Sequence, residues 1–398
     1  MSTDQNRISV LSGSQAKEFL QKHAQDKPET CLNAAIKFFG ADAKWVLEQL
    51  HLQQKAAKKI PLLQARSWLL TTKSFEQCTP EAVARYKAGL FAGDAFTDLC
   101  AGAGVDAWYA GFKHKRLVLV EADETHANLL KHNFKDHRKA QILHTTAEKA
   151  LDEIAPRGCV YLDPDRRPGG KRVFDFSQSQ PDLLQMLPRL LLQFDQIFIK
   201  GSPMLDISAC IKQLPHIKNV YAICLHNELK ELLFELEPGY SGIAQQQAIL
   251  LDDQGQLRHQ FDDTQKATPA IAQPKAGQFF YEPHAGLIKT RLDRAHAAQN
   301  GLCAMNAHAA WFVGDEWVPD YPGRIWKIEA VLSYKPKRLK QQLLALGIQR
   351  AHIAKRDFGL EVAAIRQRLN MAEGEDAQLC FTKSLEGEGL CVVCKKCG

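Results

Sequence analysis

The first 90 residues carry apolar positions at the three- and four-residue spacing of amphipathic helices, with almost none of the alternation typical of strands. The clearest helices are predicted over residues 14–23, 42–50 and 79–91. The last one has a good start, because Thr79 suits an N-cap and Pro80 suits the first helical position. We therefore expect a helical N-terminal region over residues 1–90.

From residue 91 to about residue 251, short apolar runs alternate with helical segments. Seven strands are predicted, over residues 95–100, 116–120, 141–144, 159–162, 196–200, 219–224 and 246–251, with a helix over residues 227–234 linking the last two. Such alternation favours an α/β domain with a doubly wound, mostly parallel sheet and helices on both faces. We place this domain at residues 91–275, ending in a polar linker.

A second, smaller α+β unit is predicted from about residue 277 onwards. Its pattern gives a strand, a helix and a strand over residues 279–283, 284–298 and 309–317. After a turn there follow a strand, a helix, a strand, a helix and two strands, over residues 324–334, 337–347, 349–356, 359–370, 378–382 and 389–394.

Composition and charge change this picture only slightly. With 398 residues, 45% hydrophobic and 24% charged, the chain is typical of a soluble protein of two or three domains. No stretch approaches the roughly 18 apolar residues of a membrane span, and residues 1–10 lack the apolar segment of a signal peptide. We expect a cytoplasmic protein without a membrane partner, and the formal charge of +6 permits an anionic partner without requiring one.

The 11 cysteines are expected to be free thiols, because the chain shows no export signal. Cys391, Cys394 and Cys397 form a CxxCxxC run that could supply metal ligands, with Cys380 as a fourth. The same stretch fits a strand in which Cys391 and Val393 share one face. We predict the strand and no metal site.

The first strand of the α/β domain runs into a glycine-spaced turn, FTDLCAGAGVD over residues 96–106. Gly102 and Gly104 lack the Cβ atoms that would keep a nucleotide-like ligand away from the backbone. The next strand delivers Glu121 about 17 residues after Gly104, where an acid can hydrogen-bond a ribose hydroxyl. The spacing therefore predicts a nucleotide-type cofactor.

The identity of that cofactor depends on Asp98. The glycine spacing alone also fits a dinucleotide in its GxGxxA form, or a tight turn without any ligand. Asp98 stands at the strand tip, where its carboxylate can reach an ammonium group and would repel a pyrophosphate. With this acid, the stretch resembles the first two motifs of class I S-adenosylmethionine-dependent methyltransferases.

The resemblance implies S-adenosylmethionine as the cofactor. The residues that it implies around the cofactor are Asp98, Ala101, Gly102, Gly104, Glu121, Ala122, Thr146, Ala147 and Asp163. Thr146 stands where an acid usually contacts the adenine amino group, so a hydroxyl or a backbone group would substitute for it. The helix over residues 79–91 either covers this site as a lid or packs on the edge of the sheet.

The fourth predicted strand ends in VYLDPDRRP, at the mouth of the crevice in a doubly wound sheet. Asp163-Pro164 resembles the (D/N)PP(Y/F) motif of methyltransferases that act on exocyclic amino groups, which implies that Asp163 accepts N–H bonds from the target nitrogen. Asp165 and Arg166 depart from the motif, so a guanidinium would stack on the base in place of an aromatic ring. In the alternative interpretation, Asp163 caps a helix and the arginines are solvated.

The fifth predicted strand adds Lys200 and Ser202 at the same crevice, with Asp206 placed to orient them. The predicted catalytic residues are Asp163, Pro164, Arg166 and Lys200. Arg166 and Arg167 are further predicted to bind a phosphate of the substrate. The motifs of serine hydrolases, zinc proteases and P-loop NTPases are absent from the sequence, which makes those functions poor candidates.

The last unit holds the densest positive run, with seven lysines and arginines and no acid between Tyr334 and Arg356. Such a run suits a phosphate-binding face, or a solvated face of a dimerisation domain. RIWKIEAV and AKRDFGLEVAAIRQRL resemble a THUMP-like RNA-binding domain at residues 323–398, and residues 276–322 resemble the ferredoxin-like piece that often precedes one. The residues that this resemblance implies in RNA binding are Lys335, Lys337, Arg338, Lys355 and Arg356.

Over almost its full length, the chain resembles class I methyltransferases that carry a C-terminal THUMP-like domain. The implied function is S-adenosylmethionine-dependent methylation of a base amino nitrogen in structured RNA, either tRNA or rRNA. Two alternatives stay open. The chain could methylate a small molecule or a protein, or it could bind RNA without catalysis while retaining the cofactor fold.

Overall fold

A computed structural model describes residues 3–155, 157–166, 176, 178–264 and 267–396. The chain divides into two compact units, residues 1–226 with 230–258, and residues 227–229 with 259–398. Within the described ranges, no helix is both long enough and apolar enough to span a membrane.

The N-terminal region is helical, as its periodicity predicts. The helices are α1 (Thr3–Ser12), α2 (Ser14–Lys22), α3 (Leu32–Phe39), α4 (Ala43–Lys59), α5 (Pro61–Ala65), α6 (Thr72–Gln77) and α7 (Glu81–Leu90), with 3-10 turns at Pro28–Cys31 and Gly40–Asp42. Their apolar faces enclose a small core around Leu11, Phe19, Val46 and Leu50. The helix that is predicted over residues 42–50 extends to Lys59 in the structure as α4, because its amphipathic stripe continues that far.

The start of α7 differs from its prediction. Pro80 is the N-cap residue and makes no side-chain capping bond. Thr79 is not the cap, because its hydroxyl donates to Asp106 Oδ2 at 2.7 Å. The side chain that was expected to cap the start of α7 therefore donates a hydrogen bond to a buried carboxylate instead.

The first unit is built on a mixed sheet. In chain order its strands and the helices between them are β1 (Ala95–Asp98), α8 (Val105–Ala110), β2 (Arg116–Glu121), α9 (Glu124–Asn133), β3 (Ala140–His144), α10 (Ala147–Glu153), β4 (Cys159–Leu162), a hairpin of β5 (Asp165–Arg166) and β6 (Ser179–Gln180), α11 (Leu183–Gln193), β7 (Gln196–Gly201), α12 (Ile207–Gln213), β8 (Ile217–Leu225), β9 (Glu228–Leu236), β10 (Gln245–Leu251) and β11 (Leu257–Asp262). The sheet order is β11-β10-β8-β9-β7-β4-β1-β2-β3.

This architecture confirms the predicted α/β class and corrects its details. The pairs β1–β2, β1–β4, β2–β3, β4–β7 and β8–β10 are parallel, whereas β7–β9 is antiparallel. Among the described residues this sheet has nine strands, so the predicted count of seven is wrong. The two additional strands are β9 and β11.

The predicted helix over residues 227–234 is also wrong, because these residues belong to β9. The segment ELKELLFEL is rich in good helix formers, which explains the error. All six side chains from Glu231 to Leu236 are buried, since β9 lies between β7 and β8 and is covered on both faces. Tertiary burial has overridden local propensity here.

The turn after β1 owes its two glycines to different constraints. Gly102 has a φ of +51° and Gly104 a φ of +79°, both in the left-handed region that favours glycine. A Cβ atom at Gly102 would meet nothing closer than 4.0 Å, but at Gly104 it would lie 2.7 Å from both Leu130 and Phe134. Gly104 therefore permits the close packing of α9 against the turn.

Gly104→Ala should consequently destabilise the protein by about 2–5 kcal/mol, the sum of backbone strain and overpacking. Gly102→Ala is the matched control, since it carries the backbone strain alone and should cost about 1–2 kcal/mol. Urea-induced unfolding of the two variants measures this difference. Equal losses for both variants would show that the contact with Leu130 and Phe134 does not limit the turn.

The second unit contains one further sheet. In chain order its elements are β12 (Phe279–Pro283), α13 (Ala285–Lys289), α14 (Asp293–Gln299), β13 (Cys303–Ala304), β14 (Phe312–Gly314), β15 (Gly323–Ser333), α15 (Pro336–Ala345), β16 (Arg350–Lys355), α16 (Val362–Leu369), β17 (Ala372–Lys383) and β18 (Gly389–Lys396). The strand order is β13-β14-β12-β15-β18-β17-β16.

The predicted order of elements in this unit is largely confirmed. The helix expected over residues 284–298 is split into α13 and α14, with Arg291 at a φ of +59° between them. The expected strand over residues 309–317 shortens to β14. A separate ferredoxin-like module is not confirmed, because β12 pairs directly with β15 and both predicted parts share one sheet.

The C-terminal cysteines follow the predicted alternation of a strand. Cys391 and Val393 pack together against α15 and α16, whereas Cys394 packs with Cys380 on the opposite face of the sheet. Cys391 and Cys394 therefore do not converge on one point. Cys397 lies outside the described residues, and every described cysteine is a free thiol, as predicted.

Candidate cofactor and catalytic site

A cavity of about 380 Å³ opens at the carboxyl ends of β1, β2 and β4. Its volume falls in the range of small-molecule sites, and its place at the strand ends is where doubly wound sheets bind ligands. All the residues predicted around the cofactor line this cavity: Asp98, Ala101, Gly102, Gly104, Glu121, Ala122, Thr146, Ala147 and Asp163. Residues from α6 to Thr79, and Gln180 with Pro181, complete the wall.

Asp98 is the most deeply placed acid of the cavity, with only 1% of its surface exposed. Its Oδ1 accepts a hydrogen bond from the Cys100 N–H at 3.1 Å. Burial, with a further contribution from the neighbouring Asp106 carboxylate, raises the pKa of Asp98 well above its ordinary value. A cation bound beside Asp98 would reverse that shift, so the site suits a positively charged group.

Glu121 is held at the end of β2 by two backbone groups. Its Oε2 accepts from the Gly102 N–H and its Oε1 from the Asp123 N–H, both at 2.9 Å. Asp123 in turn caps α9. Because each carboxylate oxygen can accept a second hydrogen bond, Glu121 is oriented and still able to receive hydroxyl groups.

Thr146 lines the same cavity from the end of β3, but its hydroxyl has a structural partner. It is the N-cap of α10, where its Oγ1 accepts from the Lys149 N–H at 3.5 Å. The neighbouring Ala147 also lines the wall. Both residues thus lie on the cavity wall, and their contact with adenine stays a prediction.

Asp163 and Lys200 meet at the ends of the adjacent strands β4 and β7. The Lys200 ammonium lies 2.6 Å from Asp163 Oδ2. Burial by itself would lower the pKa of Lys200, but the carboxylates of Asp163, Glu231 and Asp106 outweigh it and raise this pKa. Lys200 therefore stays charged beside Asp163 and is a fixed cation rather than a proton acceptor.

The other residues of these two strand ends are placed as follows. Asp206 caps α12 rather than orienting Lys200, and the Ser202 hydroxyl accepts from the Met204 N–H at 3.2 Å. Pro164 follows Asp163 directly, and Arg166 lies in the short strand β5. Arg167 lies outside the described residues.

Sequence reasoning missed a buried ionic cluster directly behind this site. Lys87 is completely buried and lies 2.9 Å from Asp106 Oδ1 and 2.8 Å from Glu231 Oε1. It also donates to the Tyr161 hydroxyl at 2.9 Å. One feature of the sequence could have indicated it, because Lys87 stands four residues after Val83 on the apolar stripe of α7.

The predicted RNA-binding residues fall into two groups. Lys335, Lys337 and Arg338 are exposed at the start of α15, a helix whose first turn holds no acid. Lys355 instead pairs with Glu361 at 2.5 Å, and Arg356 pairs with Glu282 at 3.2 Å. The first group is therefore exposed to an anionic partner, whereas the second group forms ion pairs within the unit.

Comparison with known proteins gives three findings. Residues 323–396 match the family model described as THUMP domain-like. An uncharacterized S-adenosylmethionine-dependent methyltransferase of Mycobacterium tuberculosis, found in strains CDC 1551 and H37Rv, is 25% identical over 356 residues, which are 87% of this chain and 94% of the relative. The crystal structure of a candidate methyltransferase from Porphyromonas gingivalis W83 superposes with a TM-score of 0.80 at 23% identity, covering 96% of this chain and 98% of that one.

The likenesses to the Mycobacterium and Porphyromonas proteins extend over both units of the chain, whereas the THUMP domain-like match lies within the second unit. The Mycobacterium relative is named as an S-adenosylmethionine-dependent methyltransferase. This likeness confirms the predicted enzyme class and, with it, the predicted cofactor. The chain thus combines the fold of class I S-adenosylmethionine-dependent methyltransferases with a C-terminal THUMP-like domain.

Proposed function

We propose that this protein transfers the methyl group of S-adenosylmethionine to a base amino nitrogen of structured RNA, either tRNA or rRNA. One observation carries the proposal. The half-buried carboxylate of Asp163 lies on the same cavity as Asp98, Gly102 and Glu121, so a methyl acceptor beside Asp163 would be next to a cofactor bound by the other three.

The residues present fit S-adenosylmethionine. The buried Asp98 carboxyl suits its ammonium group, Glu121 suits its ribose hydroxyls, and the open backbone at Gly102 leaves room for close approach. Thr146 and Ala147 would border the adenine. When bound, this cofactor supplies an electrophilic methyl group on a sulfonium.

The contribution of the protein is positioning and proton handling. Asp163 can accept an N–H bond from the target amino group, which localises the nitrogen lone pair, and can then accept the proton that the nitrogen loses when the new N–C bond forms. Lys200, charged and 2.6 Å away, holds the carboxylate in place. Arg166 is the proposed contact to the base or its phosphate, and Pro164 fixes the chain direction after Asp163.

The THUMP-like domain supports RNA as the acceptor through the exposed cations of α15. Neutralising Lys337 and Arg338 together (Lys337→Gln, Arg338→Gln) should weaken RNA binding several-fold. The slope of the logarithm of the binding constant against the logarithm of the salt concentration should fall by an amount that corresponds to about two phosphate contacts. Fluorescence anisotropy at several salt concentrations measures both. Lys17→Gln combined with Lys37→Gln, two exposed lysines of α2 and α3, is the charge-matched control and should change neither value.

The acceptor itself is best tested by mass spectrometry of nucleosides from total RNA of cells with and without the gene. We expect one methylated nucleoside to disappear in the deletion strain and to return with the wild-type gene but not with Asp163→Ala. An unchanged nucleoside profile would favour a small-molecule or protein acceptor. Failure of the purified protein to bind S-adenosylmethionine would favour the non-catalytic alternative.

A further inference from the structure

Lys87 occupies an unusual environment for a lysine. It has no exposed surface, and its ammonium group has three close partners: Glu231 Oε1 at 2.8 Å, Asp106 Oδ1 at 2.9 Å and the Tyr161 hydroxyl at 2.9 Å. It also donates to the Thr79 hydroxyl at 3.5 Å, so two carboxylates and two hydroxyls surround the ammonium group. Lys87 is therefore fixed in a single position.

Such a cluster is costly for stability alone. Buried ion pairs often contribute less than apolar side chains of the same volume, because both charges must leave water. Buried charges of this kind concentrate where the position of a charge matters for function. The cluster lies directly behind the candidate site, since Asp106 and Tyr161 both line its cavity.

A continuous series of one ion pair and three hydrogen bonds links Lys87 to Asp163. Asp106, the partner of Lys87, accepts from the Thr79 hydroxyl at 2.7 Å through Oδ2. The Thr79 oxygen accepts from the Lys200 ammonium at 3.3 Å, and Lys200 donates to Asp163 at 2.6 Å. A second connection runs through β4, because Tyr161 precedes Asp163 by two residues.

The charges within the cluster explain why Lys87 matters for Lys200. Two lysines form ion pairs with three carboxylates. Lys87 pairs with Asp106 and Glu231, and Lys200 pairs with Asp163. Asp106 and Glu231 lie close enough to Lys200 to stabilise its charge. Without Lys87, these two carboxylates would attract Lys200 and would draw it away from Asp163.

We propose that Lys87 is a positioning residue for Asp163: by neutralising Asp106 and Glu231, it leaves Lys200 free to hold the catalytic carboxylate. The inference rests on the proposed function, because the role of Asp163 belongs to that function. It adds a residue of α7 and a residue of β9 to the machinery of methyl transfer.

Lys87→Met tests this inference. We expect kcat to fall about 10- to 100-fold, while KM for RNA and Kd for S-adenosylmethionine change less than about threefold. Val83→Ala is the matched control, because Val83 is fully buried on the same face of α7 one turn earlier and carries no charge. It should destabilise the protein and leave kcat within about twofold. Wild-type kcat in Lys87→Met, or equal losses of kcat in both variants, would overturn the inference.

The double variant Lys87→Met, Glu231→Gln tests the mechanism and guards against misfolding. Removing one of the two carboxylates that lose Lys87 restores the net charge of the cluster, which should return Lys200 to Asp163 and raise kcat at least fivefold over Lys87→Met. No recovery of kcat in a folded double variant would contradict the charge-balance explanation.

Hydrogen exchange gives a readout that does not require activity. In Lys87→Met, but not in Val83→Ala, the backbone amides around Tyr161–Leu162 should exchange faster. If the wild-type protein methylates no RNA, the proposed function fails, whereas the exchange result still reports whether Lys87 fixes the end of β4. Unchanged exchange in Lys87→Met would count against the inference in either case.

Discussion

Asp163→Ala is expected to lower the rate of methyl transfer by about 10²- to 10³-fold, the usual range for loss of a proton acceptor in a transition state. Affinity for S-adenosylmethionine should change less than about threefold, because Asp98, Glu121 and the glycine turn remain in place. The side chain of Asp163 is 36% exposed, so its removal leaves no large void. Single-turnover transfer of a labelled methyl group and calorimetric titration measure the two effects.

Two controls make this result specific. Asp206→Ala removes the acid that caps α12, and should lower stability by about 1 kcal/mol without a comparable loss of rate. Asp163→Asn keeps the shape but replaces one acceptor oxygen by an NH2 donor and cannot take up the proton, so it should be nearly as slow as Asp163→Ala. Transfer at the wild-type rate in either Asp163 variant would remove this residue from the mechanism.

Asp98→Asn is expected to weaken S-adenosylmethionine binding about 10- to 100-fold, since a buried charge-assisted contact to the ammonium group is lost. The free protein should be at least as stable as the wild type. Burial and the Asp106 carboxylate already raise the pKa of Asp98, so a neutral amide satisfies the unliganded site. Calorimetric titration and urea-induced unfolding measure the two quantities.

The same pKa shift predicts a pH dependence with a definite sign. Below its raised pKa, Asp98 is protonated in the free protein, and binding of a cation must expel that proton. Affinity should therefore increase as the pH rises through this pKa, with up to one proton released per S-adenosylmethionine bound at lower pH. Titration in two buffers of different ionisation enthalpy counts the protons, and equal apparent enthalpies in both would contradict the prediction.

The contribution of Asp98 to the stability of the free protein depends on pH in the opposite direction. A carboxyl group whose pKa is higher in the folded than in the unfolded state stabilises the fold at low pH, and this contribution is lost as the pH rises through the folded-state pKa. Relative to the wild type, Asp98→Asn should thus gain stability with increasing pH above the ordinary range of an aspartate. A difference that is independent of pH would show that Asp98 is ionised in the free protein.

The cofactor cavity was the most predictable part of the molecule, for a local reason. Strand, glycine turn and acid are set by short-range geometry, so a few residues around Asp98 and Glu121 suffice to predict which side chains will meet. The opposite holds for the Lys87 cluster, whose members come from α7, α8, β4 and β9. Its assembly depends on long-range packing, and the burial of Glu231 was hidden by a helical pattern that became a strand.

The second unit shows the same division between local and long-range information. The order of strands and helices follows from the sequence, since each element carries its own periodicity. The pairing of β12 with β15 joins two predicted modules into one sheet and connects residues 40 to 48 positions apart. The sequence of either strand alone does not indicate this pairing. The positive φ of Arg291, which splits one expected helix into two, is equally invisible in the local pattern.

The position of β9 has a consequence for the order in which the protein assembles during synthesis. Because β9 lies between β7 and β8, the inner edge of β7 stays unpaired until residues 228–236 have left the ribosome. Until then a nascent chain that already contains Asp98, Asp163 and Lys200 lacks Glu231, and its open strand edge is exposed to pairing with other chains. A partly translated chain would thus hold most of the active-site residues without a finished ionic cluster behind them.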